Sequence, residues 1–329
     1  MQPIKHVYQA FIRALKDNNY RKKLLIATGI FNNLSDRKFI ELVYSARTGM
    51  KLNLDSPSGF NEKLQWLKLY DHNDLYTLMS DKYLVKQYVA ERIGKEHIVP
   101  TLGVWDDPDE IDFEALPERF VLKCNHNSGL GMCICKDKAL LDIRKTKESL
   151  RIGLAENYYL NNREWNYKNI RRRIIAEKYM EDPYAKTFYK QSDSDGLVDY
   201  KFYCFDGIPK FLYIGYANMV SGIKHDMLTF MTLDWEIAPF YRDDHEQIFC
   251  IPPKPTCFEE LMNYSSILSR NIPFVRVDFF VIDNKPYFSE FTFIPGSGYG
   301  IFKPEIWERT LGEWISLPKD RHNIKKAES

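Results

Sequence analysis

Hydrophobic and polar positions along this chain alternate most clearly near its C-terminal end, where FVRVDFFVI and KPYFSEFTF flank Asp283-Asn284. Two β-branched and aromatic runs joined by a two-residue turn signal predict a hairpin. Upstream, a spacing of three and four predicts helices in HVYQAFIRAL, in DRKFIELVYSARTG with Gly49 as its stop, and in SGFNEKLQWLKLYDH with Ser58 as N-cap. SDKYLVKQYVAERIG continues the helical pattern, with Ser80 or Asp81 as cap, Tyr83, Val85, Tyr88, Val89 and Ile93 as the apolar side and Gly94 as the end. IVPTLGVW and RFVLKC then read as short buried strands, the second followed by the Gly-rich stretch NHNSGLG and the strand MCICKD. A helix near Lys145 to Asn157, a polar aromatic loop, and a strand in RRRIIAEKYMED entering a turn at Asp182-Pro183 come next. DYKFYCFDG and PKFLYIGYA predict a hairpin over Asp206-Gly207, MLTFMTLDW a further strand, and CFEELMNYSSILSRN and PEIWERTLGEWISL the last two helices. With no internal repeat, the fold class is α+β with antiparallel sheets.

Composition narrows the classes. At 329 residues, 44% hydrophobic and 28% charged, the chain supports two or three lobes with cores of their own and is neither disordered nor fibrous. Forty-six basic residues against 45 acidic ones leave no global field toward nucleic acid or an anionic membrane, so any polyanion contact must be local. Cys124, Cys133, Cys135, Cys204, Cys250 and Cys257 are scattered, and the one C-x-C pair has no partner pair or histidine cluster to complete a zinc site. Reduced thiols, the lack of a cleavable leader pattern and the shortness of LLIATGIF together predict a cytoplasmic protein. The first residues read as a basic amphipathic helix, either packed on its own domain or docked on a membrane surface.

The hairpin also carries the leading candidates for chemistry. Asp278 and Glu290 fall side by side on its strands with Arg276 beside them, and acidic side chains in apolar strands require pairing, hydrogen bonds or a cation. Two carboxylates on one face make a divalent-metal site, an exposed sheet face with ordinary surface charges being the alternative. In the loop from Asn125 to Gly131, Gly129 and Gly131 allow backbone amides to turn toward an anion, and Lys123 on the incoming strand adds a point charge for a phosphate; a plain hairpin turn is the alternative. This is not the G-x-x-x-x-G-K-[ST] pattern of a P-loop. Glu177 to Met180 end a strand whose backbone groups suit an adenine edge, or else form an edge strand with alternating charges. Asp193-Ser194-Asp195 suggests the metal pair of a nucleotide-sugar glycosyltransferase, though its polar surroundings read as a loop tip.

In chain order there follow a helix with Lys82, a strand with Lys123 and a Gly-rich loop, a strand with Glu177 to Met180, a strand with Lys201, and the hairpin of Asp278 and Glu290. That order, with the wording of DKYLVKQYV, LPERFVLKCNHNSG, REWNYKNIRRRIIAEKYM, DYKFYCFDGIPKF and PFVRVDFFVIDNKPYFSEFTFIPGSG, resembles the ATP-grasp superfamily from Asn61 to about Leu317. More narrowly it resembles the branch associated with teichuronopeptide and capsular or exopolysaccharide biosynthesis. The resemblance implies two lobes with antiparallel sheets clamping ATP, at 73–176 and 177–329, preceded by a helical region at 1–72. It implies ATP contacts at Lys82 and Lys123, a cover of Asn127, Ser128, Gly129 and Gly131 over the β- and γ-phosphates, and adenine at Glu177, Lys178, Tyr179 and Met180. Asp278 and Glu290 would hold Mg²⁺, with Thr292 where the family commonly carries Asn; Arg276 would face the γ-phosphate or an acyl phosphate, and Lys201 phosphate or substrate. The implied activity is carboxylate–amine ligation through an acyl phosphate, a uronic acid of a surface glycan being joined to an amino acid. Partners are then small molecules and not nucleic acid, and NREWNY (162–167) and Arg171 to Arg173 are candidate acceptor contacts.

Overall fold

The computed structural model describes residues 17–182, 197–220, 223–248 and 251–318. HVYQAFIRAL, Asp193-Ser194-Asp195 and Cys250 therefore lie outside the described residues.

Four helices open the described chain: α1 (Asn18–Ala27), α2 (Asp36–Thr48), α3 (Phe60–Tyr70) and α4 (Asp74–Ser80). Gly49 ends α2 with φ +76°, a left-handed conformation that glycine adopts without strain. At the start of α3 Gly59, and not Ser58, holds the cap position, and the Glu62 carboxylate accepts hydrogen bonds from the amides of both. α4 falls in a stretch without a strong helical period and closes at Ser80, after which α5 (Val85–Ile93) begins. Asp81 caps the turn before α5 by accepting from the amides of Tyr83 and Leu84.

The first sheet has the order β1-β4-β2-β3, all antiparallel: β1 (Thr101–Trp105), β2 (Phe120–Cys124), β3 (Cys133–Cys135) and β4 (Ile174–Lys178). Its core gathers Phe113, Phe120, Leu122, Ile174 and Ala176 with Leu150 of α6 (Ile143–Ala155). β1, expected to be buried, is an edge strand with exposed Thr101 and Leu102. β4, in contrast, is internal, so Glu177 does not stand on an edge; β4 also runs across the division drawn at 176/177. The polar aromatic stretch before it contains a short helix, α7 (Tyr159–Asn162).

The second sheet has the order β10-β9-β5-β6-β7, with β5 (Asp199–Phe205), β6 (Ile208–Val220), β7 (Ile223–Met231), β9 (Val275–Ile282) and β10 (Lys285–Thr292). Asp206 and Asp283-Asn284 turn their hairpins at positive φ, as the turn signals require. α8 (Phe258–Ser269) covers one face, where Phe202, Phe258 and Phe279 meet. At one end of the other face Tyr203 packs with Phe60 of α3, Phe230, Phe274 and Phe302. Phe302 belongs to β11 (Phe302–Lys303), which pairs with β8 (Tyr241–Arg242), and α9 (Ile306–Glu313) follows. The helical preface thus shares one core with the second sheet. No helix among the described residues is long and apolar enough to cross a membrane.

α3 and α9 approach so closely that a Cβ added at Gly312 would lie 2.1 Å from the Ser58 carbonyl oxygen and 2.8 Å from the Gly59 carbonyl carbon. Alanine in a helix interior ordinarily gains about 1 kcal/mol over glycine. Backbone cannot yield as a side-chain tip does, so Gly312→Ala is expected to reverse that sign and destabilise by about 2 kcal/mol, read as a lowered urea midpoint at unchanged m.

Candidate active site

β9 is the backbone of the site. Its register places Asp278 opposite Lys201 of β5 on one side and opposite Glu290 of β10 on the other, while Arg276 lies opposite Thr292. Glu290 reaches that face through an irregularity in β10: Phe288 pairs with Phe279 and Glu290 with Asp278, leaving Ser289 unpaired. A single extra residue in one strand reverses which face the following side chains take. The burial shows it, with Pro286 and Phe288 inside, then Phe291 and Phe293. Without the bulge, strict alternation from Phe288 would turn Glu290 toward the α8 side.

Asp278 has none of its surface exposed and accepts from Arg276 twice, at 2.7 Å from Nε and 2.6 Å from Nη2. Nη2 also donates to Thr292 Oγ1 at 2.8 Å and stands 3.5 Å from Glu290 Oε1. Lys201 Nζ lies 3.3 Å from both Asp278 and Asp199. Burial opposes charge on Lys201, but Asp199, Tyr213 and Asp278 outweigh it and hold the ammonium well above the ordinary lysine range. Asp199 is pushed up by burial, against the pull of Lys201. For Glu290 burial is overcome by Lys201, Lys82, Arg276 and Lys123, which hold its carboxyl below the usual range. Oxygens of three side chains, Asp278, Thr292 and Glu290, therefore converge on one guanidinium nitrogen. Hard carboxylate and hydroxyl oxygens, too few for a complete cage, match magnesium, which keeps waters and shares its sphere with substrate phosphates.

A second cluster, whose Lys82 and Lys123 act on the Glu290 carboxylate, lines a small neighbouring cleft. Val85, Ile98, Val99, Phe280 and Phe288 give it apolar walls; Lys82, Lys86, Lys123 and Glu177 give it charge. Glu177 takes Lys86 on one oxygen and Lys123 on the other, each at 2.6 Å. Burial alone would raise the Glu177 carboxyl, yet Lys123 and Lys86 hold it below its ordinary value. Lys86 also donates to the Val99 carbonyl at 2.8 Å and Thr101 Oγ1 at 2.9 Å, tying α5 to the segment that crosses between the sheets. Lys82, expected on a helix, lies in the turn before α5, and its ammonium, lowered by burial, donates to the Asn127 carbonyl.

The Gly-rich loop is fastened at both ends. Asn125 donates to Asp81 and to the Arg171 carbonyl, both at 2.9 Å, and Asn127 donates to the carbonyls of Leu130 and Gly153. Gly131, at φ +75°, meets Gly153 of α6 where a Cβ would come within 2.9 Å of the Gly153 Cα. Gly129, at φ +89°, has open space around it and Ser128 is exposed. At the end of β4, the Lys178 amide donates to the Pro100 carbonyl at 3.0 Å, which removes that group from the backbone expected to meet adenine. Tyr179 lies under Arg119, 5.0 Å from ring centroid to guanidinium, and Met180 follows outside the strand. Arg171 pairs with Asp106 at the surface, while Glu164 of NREWNY is buried against Ser297.

Sequence patterning does not single out Lys86 or Asp199 for the site. Their only signals are positional, Lys86 one helical turn beyond Lys82 and Asp199 two residues before Lys201 on the same strand face.

A family model described as TupA-like ATPgrasp matches residues 62–316. The chain belongs to that ATP-grasp family. ATP-grasp enzymes are ATP-dependent carboxylate–amine ligases, and this chain is an enzyme of that type. Membership favours ATP over the nucleotide-sugar reading. Among solved structures, the chain is similar to the D-alanine–D-alanine ligase of Bacillus anthracis complexed with ATP, at 14% identity and TM-score 0.39 over 77% of this chain and 68% of that one. It is similar to the Helicobacter pylori D-alanine–D-alanine ligase at 18% identity and TM-score 0.37, over 73% and 62% of the two chains. It is also similar to C-terminally truncated Cdc123 of Schizosaccharomyces pombe at 9% identity and TM-score 0.39, over 74% and 94%. No curated protein matches in sequence.

The depressed Glu177 carboxyl has a consequence for stability. A carboxylate whose pKa is lower folded than unfolded stabilises fully above the unfolded value, and that contribution fades as pH falls through the folded one. Glu177→Gln leaves two half-buried lysines without their anion and is expected to cost about 2 kcal/mol at neutral pH. The gap from the parent protein should narrow below about pH 4, as read by urea unfolding across pH; a gap independent of pH would contradict the ion-pair assignment.

Proposed function

We propose that this chain is a magnesium- and ATP-dependent ligase that activates a carboxylate as an acyl phosphate and passes it to an amine. The proposed substrates are a uronic acid of a surface polysaccharide and an amino acid. The observation that carries the reading is the row Lys201–Asp278–Glu290, held in register on three strands with Arg276 and Thr292 beside it and with Lys82 and Lys123 acting on Glu290. Membership of the TupA-like family, TupA itself serving teichuronopeptide biosynthesis, supports the glycan substrate.

The chemistry asks two anions, a carboxylate and the γ-phosphate, to meet. Magnesium held by Asp278 and Glu290, with Thr292 near, would supply charge neutralisation at the phosphates. Arg276, already aimed at that point by its bonds to Asp278 and Thr292, stabilises the negative charge that spreads over the transferring phosphoryl group. Lys201, kept protonated by Asp199 and Asp278, adds a second fixed positive charge. Lys82 and Lys123 face the nucleotide phosphates from the other side. The substrate carboxylate oxygen forms a bond to the γ-phosphorus as the bond to the bridging oxygen breaks and ADP leaves. The amine then attacks the carbonyl carbon, inorganic phosphate departs, the amine loses a proton and an amide remains. Ser128 and Gly129, exposed at the tip of the Gly-rich loop, are the part of it free to approach the phosphates.

Glu290→Gln and Asp278→Asn should each lower ADP release by roughly 100-fold or more in a coupled assay with MgATP and a panel of sugar acids and amino acids, with ATP binding retained. Full turnover in either variant would contradict the assignment. With the accepted carboxylate and MgATP, hydroxylamine should trap a hydroxamate; ADP release without hydroxamate would point to direct phosphotransfer.

A further inference from the structure

We infer that the exposed side of α1 is a docking surface for an anionic lipid bilayer. This goes beyond the ligase reading and does not rest on it. α1 has no buried residue; Asn19, Lys22 and Ile26, spaced to share one side, are only half-buried. Arg21, Lys23, Leu24 and Leu25 point to solvent, with 42% of Leu24 and 41% of Leu25 exposed, and Ile30 just beyond the helix is 66% exposed. Apolar side chains flanked by cations, on a helix lying along the surface of its domain, form the pattern that partitions into the headgroup region of a bilayer.

Charge along the chain selects the occupant. Residues 1–35 contain six basic residues and one acidic residue, Asp17. The other residues therefore carry 40 basic (46 less 6) against 44 acidic (45 less 1), so a nearly neutral protein has its positive charge concentrated at this end. Between Asn18 and Ser35 there is no acidic residue at all. A second copy docked symmetrically on this face would set Arg21 and Lys23 against their own counterparts, a like-charge contact. A nucleic acid would satisfy the cations but leave Leu24, Leu25 and Ile30 in water. An anionic bilayer satisfies both at once, and the matched family region, 62–316, lies wholly outside this helix.

The test is co-sedimentation of the full chain with vesicles of equal parts phosphatidylglycerol and phosphatidylcholine, with pure phosphatidylcholine vesicles and a DNA duplex as comparisons. The full chain should pellet with the anionic vesicles, stay in solution with the neutral ones, and be released as salt rises. Each basic residue is worth about 5-fold in partitioning, so Arg21→Ala/Lys23→Ala should weaken binding on the order of 25-fold. Leu24→Asp/Leu25→Asp should abolish it. Since no α1 residue is buried, both variants should keep the parent's circular dichroism and thermal midpoint. Equal binding to neutral vesicles, binding to DNA in place of vesicles, or undiminished vesicle binding by either folded variant would overturn the inference.

Discussion

A carboxylate with no exposed surface has to be neutralised where it sits, and Asp278 imposes that condition on everything around it. Arg276 answers from two residues along the same strand and Lys201 from the strand beside it, which fixes the pairing of β9 with β5. Arg276 is then held by Thr292, and Lys201 by Asp199, so one buried anion organises four further polar side chains on a single sheet face. The opposite face of the same strands is aromatic and lies under α8. Along this stretch charged side chains take one face, and only at its far end do Tyr203 and its aromatic neighbours return that face to the core.

The two clusters solve the same problem differently. Around Asp278, cations outnumber the fully buried carboxylates and the balance is kept by Asp199 and Glu290. Around Glu177, one carboxylate serves two ammonium groups, and Lys82 donates to a backbone carbonyl. The second cluster is therefore rich in positive charge at low exposure, an arrangement that favours an incoming polyanion over water. Apolar residues from α5, from the crossing segment and from β9 and β10 wall the second cluster.

Much of this was legible in the sequence because it rests on local patterns. Asp283-Asn284 and Asp206-Gly207 are turn signals strong enough to fix both hairpins, and Gly49 ends its helix for the reason glycine usually does. What escaped depended on partners distant in sequence. β1 has the apolar composition of a buried strand, but nothing local says that it lies at a sheet edge. Lys86 acquires its place only when Glu177, Val99 and Thr101 fold against it. The bulge at Ser289 is an intermediate case: apolar residues two apart at Pro286 and Phe288, then three apart at Phe291, record the change of phase, and plain alternation overlooks it.

The contact between Gly131 and Gly153 limits how the cleft can shut. With that end of the Gly-rich loop seated on α6, and Asn127 bonded to Leu130 and Gly153, the span left to swing is little more than Ser128 and Gly129. Two residues reach about 7 Å at full extension, too short to roof a triphosphate by themselves. Any larger closing stroke has to carry α6 and the four-stranded sheet along as one lever, pivoting near the segment that Lys86 ties down.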